Sequence, residues 1–175
     1  DKKNFARKTL NERGIPCFDD NFIHLTLLGD IESVKLFIDA GFDTAIIDSA
    51  GTPLLSLAVR AQFPEVVSIL LSAGADVNKQ SLDRGYSPLM DSAQKGDVAI
   101  ATILLEHGAL TNLKSKDGQT ALIICAGRGD VEFSRLLMYY GADPAIKDNL
   151  GMTALAYAKL FKNESLILLF NNGSV

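Results

Sequence analysis

The chain has 175 residues, enough for one domain or one array of small repeats sharing a core, and 47% hydrophobic against 22% charged residues exclude a disordered or solvating chain. Lys and Arg number 17 against 21 Asp and Glu, a net charge of −4 that gives no general attraction to phosphate or anionic lipid, so neither nucleic acid nor a membrane is the expected partner. The late apolar run Leu166-Ile167-Leu168-Leu169-Phe170 falls far short of the roughly 18–20 residues that cross a bilayer.

In chain order, residues 1–19 carry Asn4-Phe5-Ala6-Arg7-Lys8-Thr9-Leu10, a short helix ended by Gly14-Ile15-Pro16, with Phe5 and Leu10 placed to cover the exposed end of the first repeated unit. The start at Asp1 rather than Met is expected of a processed or trimmed product. Asp20-Asn21-Phe22 then opens a helix with Asp20 as its N-cap. Four more starts come at Thr52-Pro53-Leu54, Ser87-Pro88-Leu89, Thr120-Ala121-Leu122 and Thr153-Ala154-Leu155, each read as hydroxyl cap, first-turn residue and first core residue. Short breaks come at Gly29-Asp30, Pro64-Glu65, Gly96-Asp97, Gly129-Asp130 and Asn163-Glu164, where the acid faces the positive end of the next helix. Those second helices end at Gly41, Gly74, Gly108, Gly141 and Gly173, separated by 33, 34, 33 and 32 residues. Three, four and seven positions before these glycines stand sets such as Ile38, Phe37 and Val34 or Leu105, Leu104 and Ala101, the spacing of one buried helical face. Glycine just past a helix end is suited to the left-handed backbone that closes it. An extended finger then leads to the next start, as in Gly74-Ala75-Asp76-Val77-Asn78 through Asp83-Arg84-Gly85.

Helix, tight turn, helix and finger in about 33 residues resembles the ankyrin repeat. Gly-x-Thr-Pro-Leu followed by Ala, then Leu-Leu-x-x-Gly-Ala-Asp-Val-Asn, recurs in register over about residues 20–173. The resemblance implies an all-α solenoid of about five stacked helix-turn-helix units with β-turn fingers, at about 20–51, 52–85, 86–118, 119–151 and 152–175, after a capping segment at 1–19. The family's Thr-Pro-Leu-His motif has lost its histidine, the positions reading Leu55, Met90, Ile123 and Ala156. The finger links that this imidazole makes in the family must therefore be made otherwise, and an array less stable than the consensus is expected. The N-terminal helix, its Gly-Ile-Pro turn and Phe22-Ile23 are similar to bacterial ankyrin proteins, exported ones included, which implies an exported or periplasmic location rather than a cytoplasmic one.

No enzyme signature is present, and no cofactor or metal is expected. Gly118, Gly127 and Gly129 form no phosphate loop, because no Gly-x-x-x-x-Gly-Lys or Gly-x-Gly-x-x-Gly accompanies them. His24 and His107 lack a Ser, Cys or paired carboxylate at motif spacing, and His107 sits where a helix end favours a polar group. Cys125 fills a slot that the family gives to a small buried alanine, and Cys17 has no partner at metal-ligand spacing. Arg128-Gly129-Asp130 falls where every unit has its interhelical turn, and turn propensity explains Asn78 and Asn112.

The resemblance implies protein binding through a concave surface of finger tips and exposed first-helix positions. Two positions come after each first-helix core: Leu27 and Leu28, Val59 and Arg60, Gln94 and Lys95, Gly127 and Arg128, Leu160 and Phe161. Arg60, Lys95 and Arg128 are expected in one column, a basic ridge about 20 Å long at the 8–10 Å spacing of packed helices, with Leu28 and Phe161 at its apolar ends. Finger tips add Arg84, Tyr86, Lys116, Leu150 and Met152, of which Tyr86 and Met152, like Phe161, are anchor types. The expected partner is a folded protein, an enzyme with an acidic surface near its cleft, docked by a chain that is monomeric when free. Covering that cleft would make the chain an inhibitor or self-protection (immunity) protein, for instance against a bacterial cell-wall hydrolase. The other reading is a scaffold or adaptor that holds a peptide segment of a regulatory partner.

Overall fold

The computed structural model describes residues 1–172, which form eleven helices and no extended strand pairing beyond an isolated bridge between Ile47 and Pro53. Helix α1 (Lys2–Glu12) precedes five helix pairs: α2 (Asp19–Leu28) with α3 (Ile31–Asp39), α4 (Leu54–Arg60) with α5 (Pro64–Ser72), α6 (Pro88–Lys95) with α7 (Val98–Glu106), α8 (Ala121–Arg128) with α9 (Val131–Tyr139), and α10 (Ala154–Leu160) with α11 (Glu164–Asn172). The first members stack as an inner row and the second members as an outer row, each helix packed on its counterpart in the next pair. None of these helices is long and apolar enough to cross a membrane. The glycine expected to end the last pair, Gly173, lies outside the described residues.

Helices of seven to eleven residues are too short to persist alone, so capping and stacking hold them. In the outer row, Asp30, Asp97 and Asp130 accept from the backbone N–H of Ser33, Ile100 and Phe133 at 2.9–3.1 Å. In the inner row, the Ser87, Thr120 and Thr153 hydroxyls accept from Met90, Ile123 and Ala156 at 3.1–3.3 Å. The three hydroxyls are the expected N-caps, and the three acids, expected only to face the positive helix ends, cap them as well. Asp20, however, lies in the first turn of α2, and Phe18 takes the cap position without a side-chain bond. The core runs the length of the stack through Phe22, Phe37, Leu70, Leu89, Leu104, Leu122 and Phe133. At its start Phe22 and Phe37 stack at 5.1 Å, with Phe42 edge-on to Phe37 at 4.8 Å. Helix α1 seals this end with Ala6 and Leu10, whereas Phe5, expected to help, points to solvent.

The start read from Thr52-Pro53-Leu54 is displaced by one residue. The Asp48 N–H donates to the Thr52 C=O at 3.0 Å, as Ser81 does to Tyr86, Ser115 to Gln119 and Asp148 to Met152 at 2.9–3.0 Å. Thr52 therefore belongs to the finger, and Pro53 stands at the N-cap with no side-chain bond. The other end of α4 agrees: Gln62, at φ 61°, holds the left-handed position that Gly29, Gly96 and Gly129 hold at 70–73° and Lys162 holds at 55°. The slip is made up in the next finger, where Ser81 to Tyr86 contains one residue more than its counterparts. In this register the lost histidine position of the second pair is Ser56, not Leu55.

A non-glycine residue in the left-handed region carries local strain. Gln62→Gly is expected to raise stability by about 0.5–1 kcal/mol in urea unfolding. Leu10→Ala should cost about 2–4 kcal/mol in the same assay and Phe5→Ala less than about 0.5, as their burial requires.

Candidate functional site

The one-residue slip rearranges the concave column. The position just before the left-handed residue of each pair is Leu28, Ala61, Lys95, Arg128 and Phe161, so Arg60 is not in line with Lys95 and Arg128. One residue on a helix is a turn of about 100°, and it carries the Arg60 side chain off the ridge into the joint with the next pair. Lys95 and Arg128 are exposed, and Arg128 Nη1 donates to the Gln94 C=O at 2.8 Å. Leu27, Leu28, Leu160 and Phe161 are exposed at the two ends, and Phe161 stacks on Tyr157 with ring centres 6.5 Å apart. A contact of this group with Val175 would lie outside the described residues.

Arg60 is instead committed to Asp91, its Nε donating to Oδ1 at 2.9 Å, with Nη1 donating to Thr52 Oγ1 at 3.3 Å and Asp83 Oδ2 3.7 Å away. Asp91 is 1% exposed and stands where the other inner helices place His24, Leu57, Ile124 and Tyr157. Burial pushes its carboxyl above the ordinary value, against the hydrogen bond and charge of Arg60. Asp91 Oδ2 and Arg60 Nη2 are buried without partners, so the pair is satisfied only in part. Arg84 completes the cluster, 3.9 Å from both Asp83 and Asp91, its guanidinium 4.4 Å above the Tyr86 ring. Tyr86 is thus no exposed anchor: it is 6% exposed, its hydroxyl meets Gln119 Oε1 at 3.2 Å, and burial raises its phenol.

The finger row joins one pair to the next. Along its tips Leu82, Lys116 and Asn149 donate their N–H groups to Gly51, Arg84 and Asp117 at 2.9–3.0 Å. Asn78 spans to Leu110 and Gly108, Gln80 Nε2 donates to the Lys114 C=O, and Lys116 Nζ donates to the Leu82 C=O. These carboxamides and lysines make the cross-finger links that the histidines do not. Leu150 is 82% exposed at the last tip, beside half-buried Met152. Asp148 is buried there, which by itself would raise its carboxyl; hydrogen bonds from the Tyr157 hydroxyl at 2.7 Å and from the Met152 and Leu150 amides outweigh that and hold it below the ordinary value. Burial also raises the Cys125 thiol well above its usual value, as befits a core position. Among the described residues no cluster of three or more His, Cys, Asp or Glu could hold a metal ion.

A family profile described as ankyrin repeats (3 copies) matches residues 22–115 and 89–175. An ankyrin repeat-containing protein of Treponema pallidum is 48% identical over 168 residues, 96% of this chain and 56% of that protein. Ankyrin repeat and SAM domain-containing protein 6 of Rattus norvegicus is 32% identical over 103 residues, 58% of this chain and 12% of that protein. The 2-5A-dependent ribonuclease of Homo sapiens is 38% identical over 71 residues, 41% of this chain and 10% of that protein. This chain therefore spans about half of the bacterial relative and a small part of the other two.

Sequence reasoning missed Asp91, and the signal was there: Leu54 to Leu89 is 35 residues while the later leucines are 33 apart, which marks the slip that brings Arg60 to it. Asp91→Leu, which leaves Arg60 half-buried with only Thr52 and the Asp83 carboxylate 3.7 Å away, is expected to cost about 1–3 kcal/mol. Arg60→Leu combined with Asp91→Leu should return within about 1 kcal/mol of the parent or exceed it, as read from urea midpoints.

Proposed function

The chain belongs to the ankyrin-repeat family, whose arrays are protein-interaction modules, and on that premise we propose that its concave face binds a folded protein presenting acidic groups between two apolar patches. The observation that carries this reading is the column Leu28, Ala61, Lys95, Arg128 and Phe161, in which two adjacent exposed cations lie between exposed apolar ends. At 8–10 Å per step the column is about 32–40 Å long, a span suited to about 800 Å² buried on each partner. Arg84, Lys116, Leu150 and Met152 extend it along the finger row, while Arg60 and Tyr86 act from beneath as supports rather than contacts.

In its sharper form the partner is an enzyme whose cleft carboxylates meet Lys95 and Arg128, so that docking blocks the cleft and the chain acts as an inhibitor or self-protection protein. The chemistry behind that form is the placing of cations at the centre of the column, where a partner's most desolvated groups come to lie. An exported or periplasmic setting belongs to the same proposal.

Lys95→Glu with Arg128→Glu is expected to weaken capture of the partner from source extract by at least about tenfold and to lessen or reverse the loss of binding with added salt. Both residues are exposed, so the urea midpoint should move by less than about 0.5 kcal/mol equivalent. Phe161→Ala should weaken binding without changing its salt dependence. Unchanged affinity in the charge-reversed variant would move the interface off this column, and an enzyme captured by the parent yet still active in the eluate would leave docking without inhibition.

A further inference from the structure

The joint between the first two fingers is built differently from the later ones. At the second joint the Asn78 carboxamide bridges two backbone groups of the next finger, Oδ1 accepting from the Leu110 N–H at 2.8 Å and Nδ2 donating to the Gly108 C=O at 3.3 Å. Gln80 Nε2 adds a bond to the Lys114 C=O at 2.8 Å. At the third joint Asn112 Oδ1 accepts from the Asp143 N–H at 2.9 Å and Lys114 Nζ donates to the Lys147 C=O at 2.8 Å. At the first joint the corresponding residues are Ala45 and Ile47, which carry no polar group to send across. The backbone groups they would reach, the Asp76 N–H and the Gly74 and Gln80 carbonyls, make no hydrogen bond among the described residues.

The two fingers still meet at their tips, where the Leu82 N–H donates to the Gly51 C=O at 2.9 Å. Behind that contact a cleft of about 440 Å³ opens between Ala45, Ile46, Ile47, Lys79, Gln80 and Leu82. A second space of about 180 Å³ continues from Ala45 and Lys79 to Asp76, Pro53 and Leu55. Ile47 and Leu82, both exposed, stand on the walls of the larger cleft.

We propose that this open joint is a binding site for an extended peptide segment of a partner protein, which places an amide group where Ala45 supplies none and rests an aliphatic side chain on Ile47 and Leu82. The next joint serves as the template for this occupant. The donor and acceptor that Asn78 satisfies recur here as the Asp76 N–H and the Gly74 C=O, and an amide, with its acceptor and donor on separate atoms as in Asn78, meets both at once. A carboxylate would leave the carbonyl unmet, and an ammonium would leave the N–H unmet. The Gln80 C=O takes a further N–H from the segment, as the Lys114 C=O takes one from Gln80. The site lies in the first finger joint and shares no residue with the column or with the finger tips that extend it, so it goes beyond the concave reading, and neither depends on the other.

The test is a titration of the ¹⁵N- and methyl-labelled chain with the capped tripeptide acetyl-Leu-Asn-Leu-amide. Saturable shifts are expected at the Asp76 and Gln80 amides and the Ile47 and Leu82 methyls, with slowed hydrogen exchange at Asp76 and no change at Leu110. Ala45→Asn with Ile47→Gln supplies the missing amides from within the chain; it should slow Asp76 exchange without peptide and weaken tripeptide binding about tenfold, the scale of two ordinary hydrogen bonds. Lys95→Glu with Arg128→Glu should leave tripeptide affinity unchanged. The proposal is overturned by the absence of saturable shifts at Asp76, by undiminished binding to the double amide variant once its Asp76 exchange has slowed, or by shifts centred on Lys95 and Arg128.

Discussion

A pair of helices two to three turns long cannot bury its own core, and everything in this chain depends on the joint where one pair stacks on the next. The residues most deeply covered, among them Val34, Val67, Ala101, Leu55 and Leu89, lie in clusters that each join several pairs. The fingers bring their tips together through one backbone bond per joint, and side-chain links vary from joint to joint around that constant. The array is thus a series of similar contacts between successive pairs, and its differences in chemistry are differences between joints.

Much of this was legible in the sequence because the period is long and its markers are of two independent kinds. Glycine past the second helix and a capping residue before the first repeat for separate physical reasons, so their agreement fixed the architecture and most helix starts. The second pair misled because Thr52-Pro53-Leu54 has the chemistry of a helix start although the backbone bond from Asp48 holds Thr52 in the finger. The turn between its two helices gave no warning, since Gln62 occupies the left-handed position that glycine marks in the first, third and fourth pairs. One residue of error exchanged Ala61 for Arg60 in the column and turned a structural cation into an expected contact.

The interior polar groups were illegible for a different reason. A period shows which positions are buried but not how a polar residue at such a position is satisfied. Asp91 sits in a column otherwise held by His24, Leu57, Ile124 and Tyr157, and only the turn of α4 reveals that Arg60 reaches it. Likewise the roles of Asn78 and Gln80 emerge only when the neighbouring finger is placed beside them. Turn propensity accounts for an asparagine at such a site without indicating that its carboxamide ties two fingers together.

The Arg60 and Asp91 pair also bears on how such a chain can change over generations. The two positions lie 31 residues apart and in different pairs, yet an apolar replacement of either leaves the other only its longer contacts, Arg60 with Asp83 at 3.7 Å and Asp91 with Arg84 at 3.9 Å. They form one inherited character, in which the loss of either favours the loss of both. Duplication of a single unit, the ordinary way in which repeat arrays lengthen, would copy one half of the pair without the other. The boundary between the second and third pairs is for that reason the place in this array where units are least free to be copied, deleted or exchanged.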